Sequence, residues 1–423
     1  MRHPVPLGSS AVAAVPGFRP LLAMSALGFS GYALLLPAAP LWAVHGGAGE
    51  GGAGLVNAVL MLATVLTQTT VPWVLRRAGW RLTMAAGVVL LGVPSLLFMA
   101  TDQLGWLLAL SAVRGTGFAV LTVCGSSAVA ALVDGPRHGR AIGLYGLSVA
   151  FPQLVLVPSA AWIAETLDFR VVFALGALPA LAVPFAVLLG RRLDAAEAAA
   201  ASAAAGASSA ADGAARDGGD DGGDDGGDSA APGGRLHTLR ALAMPSLVLL
   251  AVTTPGGALL TFAPQFAGDA GAAVAGLLGF TAATALSRWG VGGLADRFGP
   301  RAFLAPLLVA CAVGLVVCAG AITGGGARPV PLVLGMTVVG LAYGSLQNLT
   351  LVAAFAAVPS RQHSTASAVW NIGFDAGTGL GSLVVGFVAA GTSFAVGLLT
   401  TAVVCVVAAV AVGVAGRRQS GDA

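Results

Sequence analysis

Long apolar runs, broken by charges and by Gly/Pro clusters, dominate the chain. In its first part they cover about 20–44, 54–75, 82–100, 104–130, 141–164 and 170–190. In its second part they cover about 243–267, 272–290, 302–323, 330–357, 366–390 and 393–415. Runs near ~20 residues let a helix cross about 30 Å of hydrocarbon. Backbone polar groups in lipid must pair within their own segment, so such runs predict helices. The pattern therefore predicts an all-α integral membrane protein with twelve transmembrane helices. The first run is too long for a secretory signal, whose apolar core spans only ~7–15 residues.

Between the sixth and seventh runs the character changes. Residues 191–240 pass through AAEAAAASAAAGASSAADGAARDGGDDGGDDGGDSAAPGG, nearly free of large apolar groups. Such a segment buries too little surface to offset its ordering entropy and predicts disorder. It divides the chain into a six-helix bundle at 1–190, a linker at 191–240, and a second six-helix bundle at 241–423 ending in a short tail. The Asp-Gly run has no regularly placed large apolar residue, so a calcium-binding repeat is not expected.

Composition agrees with burial in lipid. The chain is 57% hydrophobic and 9% charged, against about 25% charged in ordinary soluble domains. All 21 basic residues are arginine. With both termini on the cytoplasmic side, Arg76, Arg77, Arg81, Arg137, Arg140, Arg297, Arg301, Arg361, Arg417 and Arg418 fall inside. The outer loops then hold only Arg170 and Arg328. That asymmetry fits the positive-inside rule for an even number of spans. The arginines are scattered over short loops, which argues against nucleic-acid binding.

Cys124, Cys311, Cys318 and Cys405 all lie inside apolar runs, without a CxxC pair or a histidine cluster. No metal site and no cofactor is expected, and these thiols read as small buried apolar groups. Nucleophile-elbow, HExxH and Walker patterns are missing too, so an enzyme is not expected.

The two parts echo each other. Arg77-Ala-Gly79-Trp-Arg81 lies between runs two and three, and Arg297-Phe-Gly299-Pro-Arg301 lies between runs eight and nine. Pro136-Arg137 precedes run five, as Pro359-Ser360-Arg361 precedes run eleven. Two parallel repeats of six helices are a known transporter plan, with the binding site near the midplane between them.

The longer stretch Gly292-Gly293-Leu294-Ala295-Asp296-Arg297-Phe298-Gly299-Pro300-Arg301 resembles the signature cytoplasmic loop of the major facilitator superfamily. Its glycines permit a tight turn, and Asp296 can cap a helix N-terminus or pair with an arginine. Gly293, Asp296, Arg297, Gly299 and Arg301, with Arg77, Gly79 and Arg81 in the first copy, are the candidate gating-loop residues. The first copy has Arg76 where the family carries its aspartate, which leaves a latch on that acid in doubt. Arg114-Gly115-Thr116-Gly117 resembles the family's arginine pattern in helix four, without its usual glutamine. Run five keeps Pro152 but not the surrounding glycines of the exporter branch.

The resemblance implies a secondary transporter working by alternating access. A small-molecule substrate, protons and membrane lipid would be its partners, and it would act as a monomer in the cell (inner or plasma) membrane. The expected activity is proton-coupled export, by antiport, of a small and partly apolar organic solute, as in the drug-efflux branch. An uptake symporter, a facilitator for a neutral solute, and a non-transporting receptor or scaffold are the alternatives.

Two charges inside spans carry the mechanistic expectation. Arg114 lies about ten residues from one end of run four, or ~15 Å deep at ~1.5 Å per residue. Asp375, the only acid inside a run, lies at ~14 Å in run eleven. Buried charges at such depth mark functional sites by default. Asp375 is expected to exchange the coupling proton, with Arg114 tuning it or holding substrate. Its alternative is a structural bond to Asn371, Thr378 or backbone. Tyr32, Gln265, Gln347, Asn348 and Asn371 are candidates to line the cavity, because in the family the helices that open each three-helix unit do so. Interhelical hydrogen bonding is the other reading for each, and for Gln68.

Overall fold

A computed structural model describes residues 15–133, 138–215, 232–324, 326–359 and 362–421. Every regular element among them is helical. Among the described residues, twelve helices are long and apolar enough to span a membrane. The first six are Phe18–His45, Glu50–Gln68, Val71–Ala100, Leu104–Leu132, Arg140–Thr166 and Phe169–Ala203. The second six are Thr238–Phe266, Ala270–Arg288, Arg301–Ala321, Pro329–Ala356, Thr365–Gly391 and Phe394–Ala415. They are called spans one to twelve in chain order.

The second and third runs meet differently from the simple break the apolar pattern suggests. Thr69 and Thr70 keep helical dihedrals, so the chain stays helical from Glu50 to Ala78. The reversal falls at Gly79, where φ is 74° and ψ 170°. Its counterpart Gly299 has φ 78°. At both copies of the arginine motif the turn thus uses a left-handed residue, a conformation that costs an L side chain about 1–2 kcal/mol and glycine almost nothing. The two turns define one end of the bundle, here the arginine end.

Span six does not stop where the low-complexity segment begins. Its helix runs Val183–Ala215, because the alanine-rich stretch has the highest intrinsic helix propensity of any composition. Residues 216–231, which hold the Asp-Gly run expected to be disordered, lie outside the described residues.

Spans two and eleven pack against each other along much of their length. Towards the end opposite the arginine turns, a methyl group added at Gly54 would collide with the backbone carbonyl of Ser382. Small residues permit this approach, and dispersion across the seam replaces the hydrophobic driving force that lipid does not supply.

Proline-freed carbonyls add directed bonds to this packing. A proline inside a helix removes the donor for the carbonyl four residues earlier. Pro40, Pro158 and Pro255 would orphan Leu36, Leu154 and Ala251 in this way. Asn57 Nδ2 donates to Leu36 O at 2.7 Å, Thr281 Oγ1 reaches Leu154 O at 3.5 Å, and Cys405 Sγ approaches Ala251 O at 3.3 Å. Each donor comes from a different span, so each kink becomes a point of attachment. Asn57 also donates to Thr261 Oγ1 at 2.9 Å, which lies 2.8 Å from Ser382 Oγ. This buried knot ties spans one and two to spans seven and eleven.

Candidate functional site

Asp375 lies ten residues into span eleven (375 − 365), about 15 Å along the helix. It is 3% exposed, and no other carboxylate among the described residues is buried. Its partner is neither of the side chains expected on its own helix. Asn371 Nδ2 donates to Ser367 O at 2.8 Å, and Thr378 Oγ1 to Phe374 O at 2.9 Å. Asp375 Oδ2 instead accepts from Gln68 Nε2, on span two, at 2.6 Å. The carboxylate is therefore bonded across the seam between the first and second sets of six spans. Burial away from water strengthens this bond and raises the penalty for leaving either group unpaired.

Arg114 lies ten residues into span four (114 − 104), counted from the opposite end of the bundle, and the structure does not bring it to Asp375. Its Nε donates to Leu91 O at 3.3 Å and its Nη2 to Gly31 O at 3.2 Å. The guanidinium carbon stands 5.9 Å from the Phe98 ring centroid. All three contacts lie within the first six spans, so the cation joins spans one, three and four from inside. At 1% exposure a guanidinium persists only when its donors find acceptors, and two backbone carbonyls supply them.

Tyr32 stands between these charges. Its phenol feels both Asp375 and Arg114, as well as Tyr343 of span ten. The Tyr32 ring stacks on Phe118 with centroids 4.2 Å apart and meets Phe29 edge-on, an arrangement that fixes the hydroxyl. Among the other cavity candidates, Gln347 is 1% exposed, and its amide nitrogen has no hydrogen-bond partner. The Gln265 amide nitrogen is likewise buried and unpaired. Asn348 Nδ2 donates to Arg288 O at 2.7 Å and links span ten to span eight. Asn348 and Asn371 are thus engaged in structure, and Gln347 lies against the Tyr343 phenol, whereas Gln265 retains an unpaired donor.

Between spans two and eleven a groove of about 360 Å³ is lined by Leu55, Val59, Met61, Leu62, Val65 and Leu380, with Ala376 and Gly379 beside it. Ala376 follows Asp375 in sequence, but neither Asp375 nor Gln68 lines the groove.

The arginine turns show where the missing first-copy aspartate is made good. Gly79 has no side chain with which to cap the helical segment that restarts at Trp80. Asp194, on the extension of span six, accepts from Trp80 N at 2.7 Å and from Arg81 N at 3.2 Å. Glu197 accepts from Trp80 Nε1 at 2.6 Å. A carboxylate on the first free N–H groups of a helix is also favoured by the helix dipole. The sequence reading missed Asp194 because it fell in the segment assigned to disorder, although its place three residues before Glu197 in a helical run was a usable signal. Arg77 stacks over Trp73 at 4.7 Å. Arg297 lies in the last turn of the span-eight helix, and Arg301 opens the next. Gly293 and Asp296 belong to the same helix as Arg297, and their side chains lie outside the described residues.

Comparison with solved structures finds transporters over nearly the whole length. A peptide transporter in complex with sulfate aligns with TM-score 0.69 and 15% identity, covering 97% of this chain and 98% of that one. A nucleoside transporter aligns with TM-score 0.67 and 14% identity, covering 94% and 98%. A bacterial homolog of the human lysosomal transporter Spinster, inward-facing and unoccupied, aligns with TM-score 0.70 and 15% identity, covering 98% of each. At such identity the likeness speaks for the fold alone. No curated protein matches in sequence. The Major Facilitator Superfamily profile matches residues 21–291, well over half of the chain, and with twelve spans and the paired arginine turns it places this protein in the major facilitator superfamily.

Proposed function

We propose that the protein is a proton-coupled secondary transporter that exports a small, partly apolar organic solute by alternating access, with Asp375 as the proton site. The observation that carries this reading is the buried carboxylate bonded across the seam between the two sets of six spans. A group there changes its surroundings whenever the two sets move, and its proton affinity follows. Arg114 makes no bond to Asp375 and belongs to the internal packing of the first six spans. The unpaired amide of Gln265 supplies a donor to a solute with acceptor atoms, and the apolar groove beside Ala376 favours a solute with hydrocarbon surface.

The arginine distribution supports both termini, the arginine turns and the central linker on the cytoplasmic side of the cell membrane. The drug-efflux branch, the monomeric state and the domain limits at 190 and 241 belong to the same proposal. A second reading, uptake or facilitated passage of a polar neutral solute, draws on the peptide and nucleoside transporters among the structural relatives.

The test is proton release by the detergent-purified protein as a panel of small organic compounds is added, for the wild type and Asp375→Asn. A compound-dependent release that vanishes in the variant is expected. Equal release from both proteins would move the proton site elsewhere, and none with any compound would leave the facilitator reading.

A further inference from the structure

We propose that Gln68 is the positioning residue that converts the protonation state of Asp375 into contact between the two sets of six spans. The inference rests on the proton-site reading of Asp375. Its geometric basis is the 2.6 Å bond from Gln68 Nε2 to Asp375 Oδ2, between spans in opposite sets. The side chains are 6% and 3% exposed, so water does not replace a lost bond. The second amide hydrogen points towards Thr122 Oγ1 at the long distance of 3.5 Å. The amide oxygen, Gln68 Oε1, is buried with no hydrogen-bond partner at all.

That orphan oxygen points to the chemistry. An ionised carboxylate only accepts hydrogen bonds, whereas a carboxylic acid also donates one. Against the carboxylate, the amide can use its N–H and must leave its oxygen bare. Against the acid, the same amide can donate through nitrogen to one carboxyl oxygen and accept through Oε1 from the other. Protonation thus completes a two-bond pair across the seam, and loss of the proton reduces it to one bond and a bare buried acceptor. The protonated site holds spans two and eleven together, and the deprotonated site releases them.

The surroundings leave Asp375 as the group that titrates. The titratable side chains facing it are Tyr32 from span one and Tyr343 from span ten, and phenols do not titrate near neutral pH. Tyr32 interacts electrostatically with Arg114, and Tyr343 with Arg288. Spans two and seven carry Glu50 and Arg240 only towards their ends, and span twelve carries no charged residue.

The test is the distance between nitroxide labels at two exposed positions opposite the arginine turns, Gly49→Cys on the first set and Ser393→Cys on the second, in the full-length purified protein across pH. The wild type is expected to show one pH transition, with the shorter distance at low pH. Asp375→Asn, whose amide presents a donor and an acceptor to Gln68, is expected to hold the low-pH distance throughout. Gln68→Leu is expected to lose the pH transition. Gln68→Glu is expected to keep it with its midpoint raised by about one pH unit or more, since two neighbouring carboxyl groups share one proton.

An intact transition in Gln68→Leu, or an unmoved midpoint in Gln68→Glu should the leucine variant not fold, would overturn the role of Gln68. Asp375 would then remain the proton site. A transition that survives Asp375→Asn, or a wild type with none, would overturn the proton-site reading and this inference together.

Discussion

Asn57→Ala removes two bonds from a residue that is 1% exposed. One, at 2.9 Å, goes to Thr261. The other, at 2.7 Å, goes to the Leu36 carbonyl, whose helical donor Pro40 cannot supply. Side-chain bonds between membrane helices average about 0.6 kcal/mol and reach about 1.7. A bare carbonyl in a dry interior stands at the upper end, since removing one partner exposes the full desolvation penalty of about 1–3 kcal/mol. The loss should therefore be about 2 kcal/mol. In a Pro40→Ala background, the new N–H satisfies Leu36 O, and Asn57→Ala should cost only the Thr261 bond, about 0.6 kcal/mol. Reversible unfolding of the four proteins in mixed micelles of increasing SDS fraction measures both numbers. The reasoning requires a coupling of about 1.4 kcal/mol between positions 40 and 57. Additivity within about 0.3–0.5 kcal/mol would refute it.

Three further outcomes follow from the same packing. Asp194→Ala strips the acceptor from Trp80 N and Arg81 N and should cost about 0.5–2 kcal/mol in the same unfolding assay, whereas Asp194→Asn should retain most of the cap. Gly54→Leu forces a side chain against the Ser382 carbonyl and should lengthen the label distance between positions 49 and 393 at every pH; an unchanged distance would contradict close packing of spans two and eleven. The four cysteines are free and buried, so a bulky maleimide should leave them unmodified in mild detergent and label all four after denaturation in SDS.

Much of this molecule was legible before any coordinates. Span number and limits depend on run length and polarity, which are properties of consecutive residues, so Thr365–Gly391 falls within a residue of the run expected at 366–390. The turns at Gly79 and Gly299 were legible for the same reason, because a left-handed residue between two short-range helices is a local demand. Prolines at 40, 158 and 255 even announce which carbonyls need a donor. Composition misled at 191–215, where low apolar content suggested disorder and alanine propensity extends a helix.

Partners were a different matter, because hydrogen bonds and charges are settled by which helix faces meet. Position along a helix follows from counting residues, but Arg114 and Asp375 were counted from opposite ends of the bundle. The amide that binds Asp375 reaches Thr122, about two turns along span four from Arg114. Direction around the helix axis depends on packing among twelve spans, and it turned Arg114 into carbonyls of its own set. Asp375 found Gln68, 307 positions away, rather than the neighbours at one helical turn. Sequence alone determined which segments span and how far along its own helix each polar group lies, since these follow from local hydropathy and a fixed rise per residue. Tertiary structure alone decided which groups touch, since contact depends on rotations and close approaches that no single segment encodes.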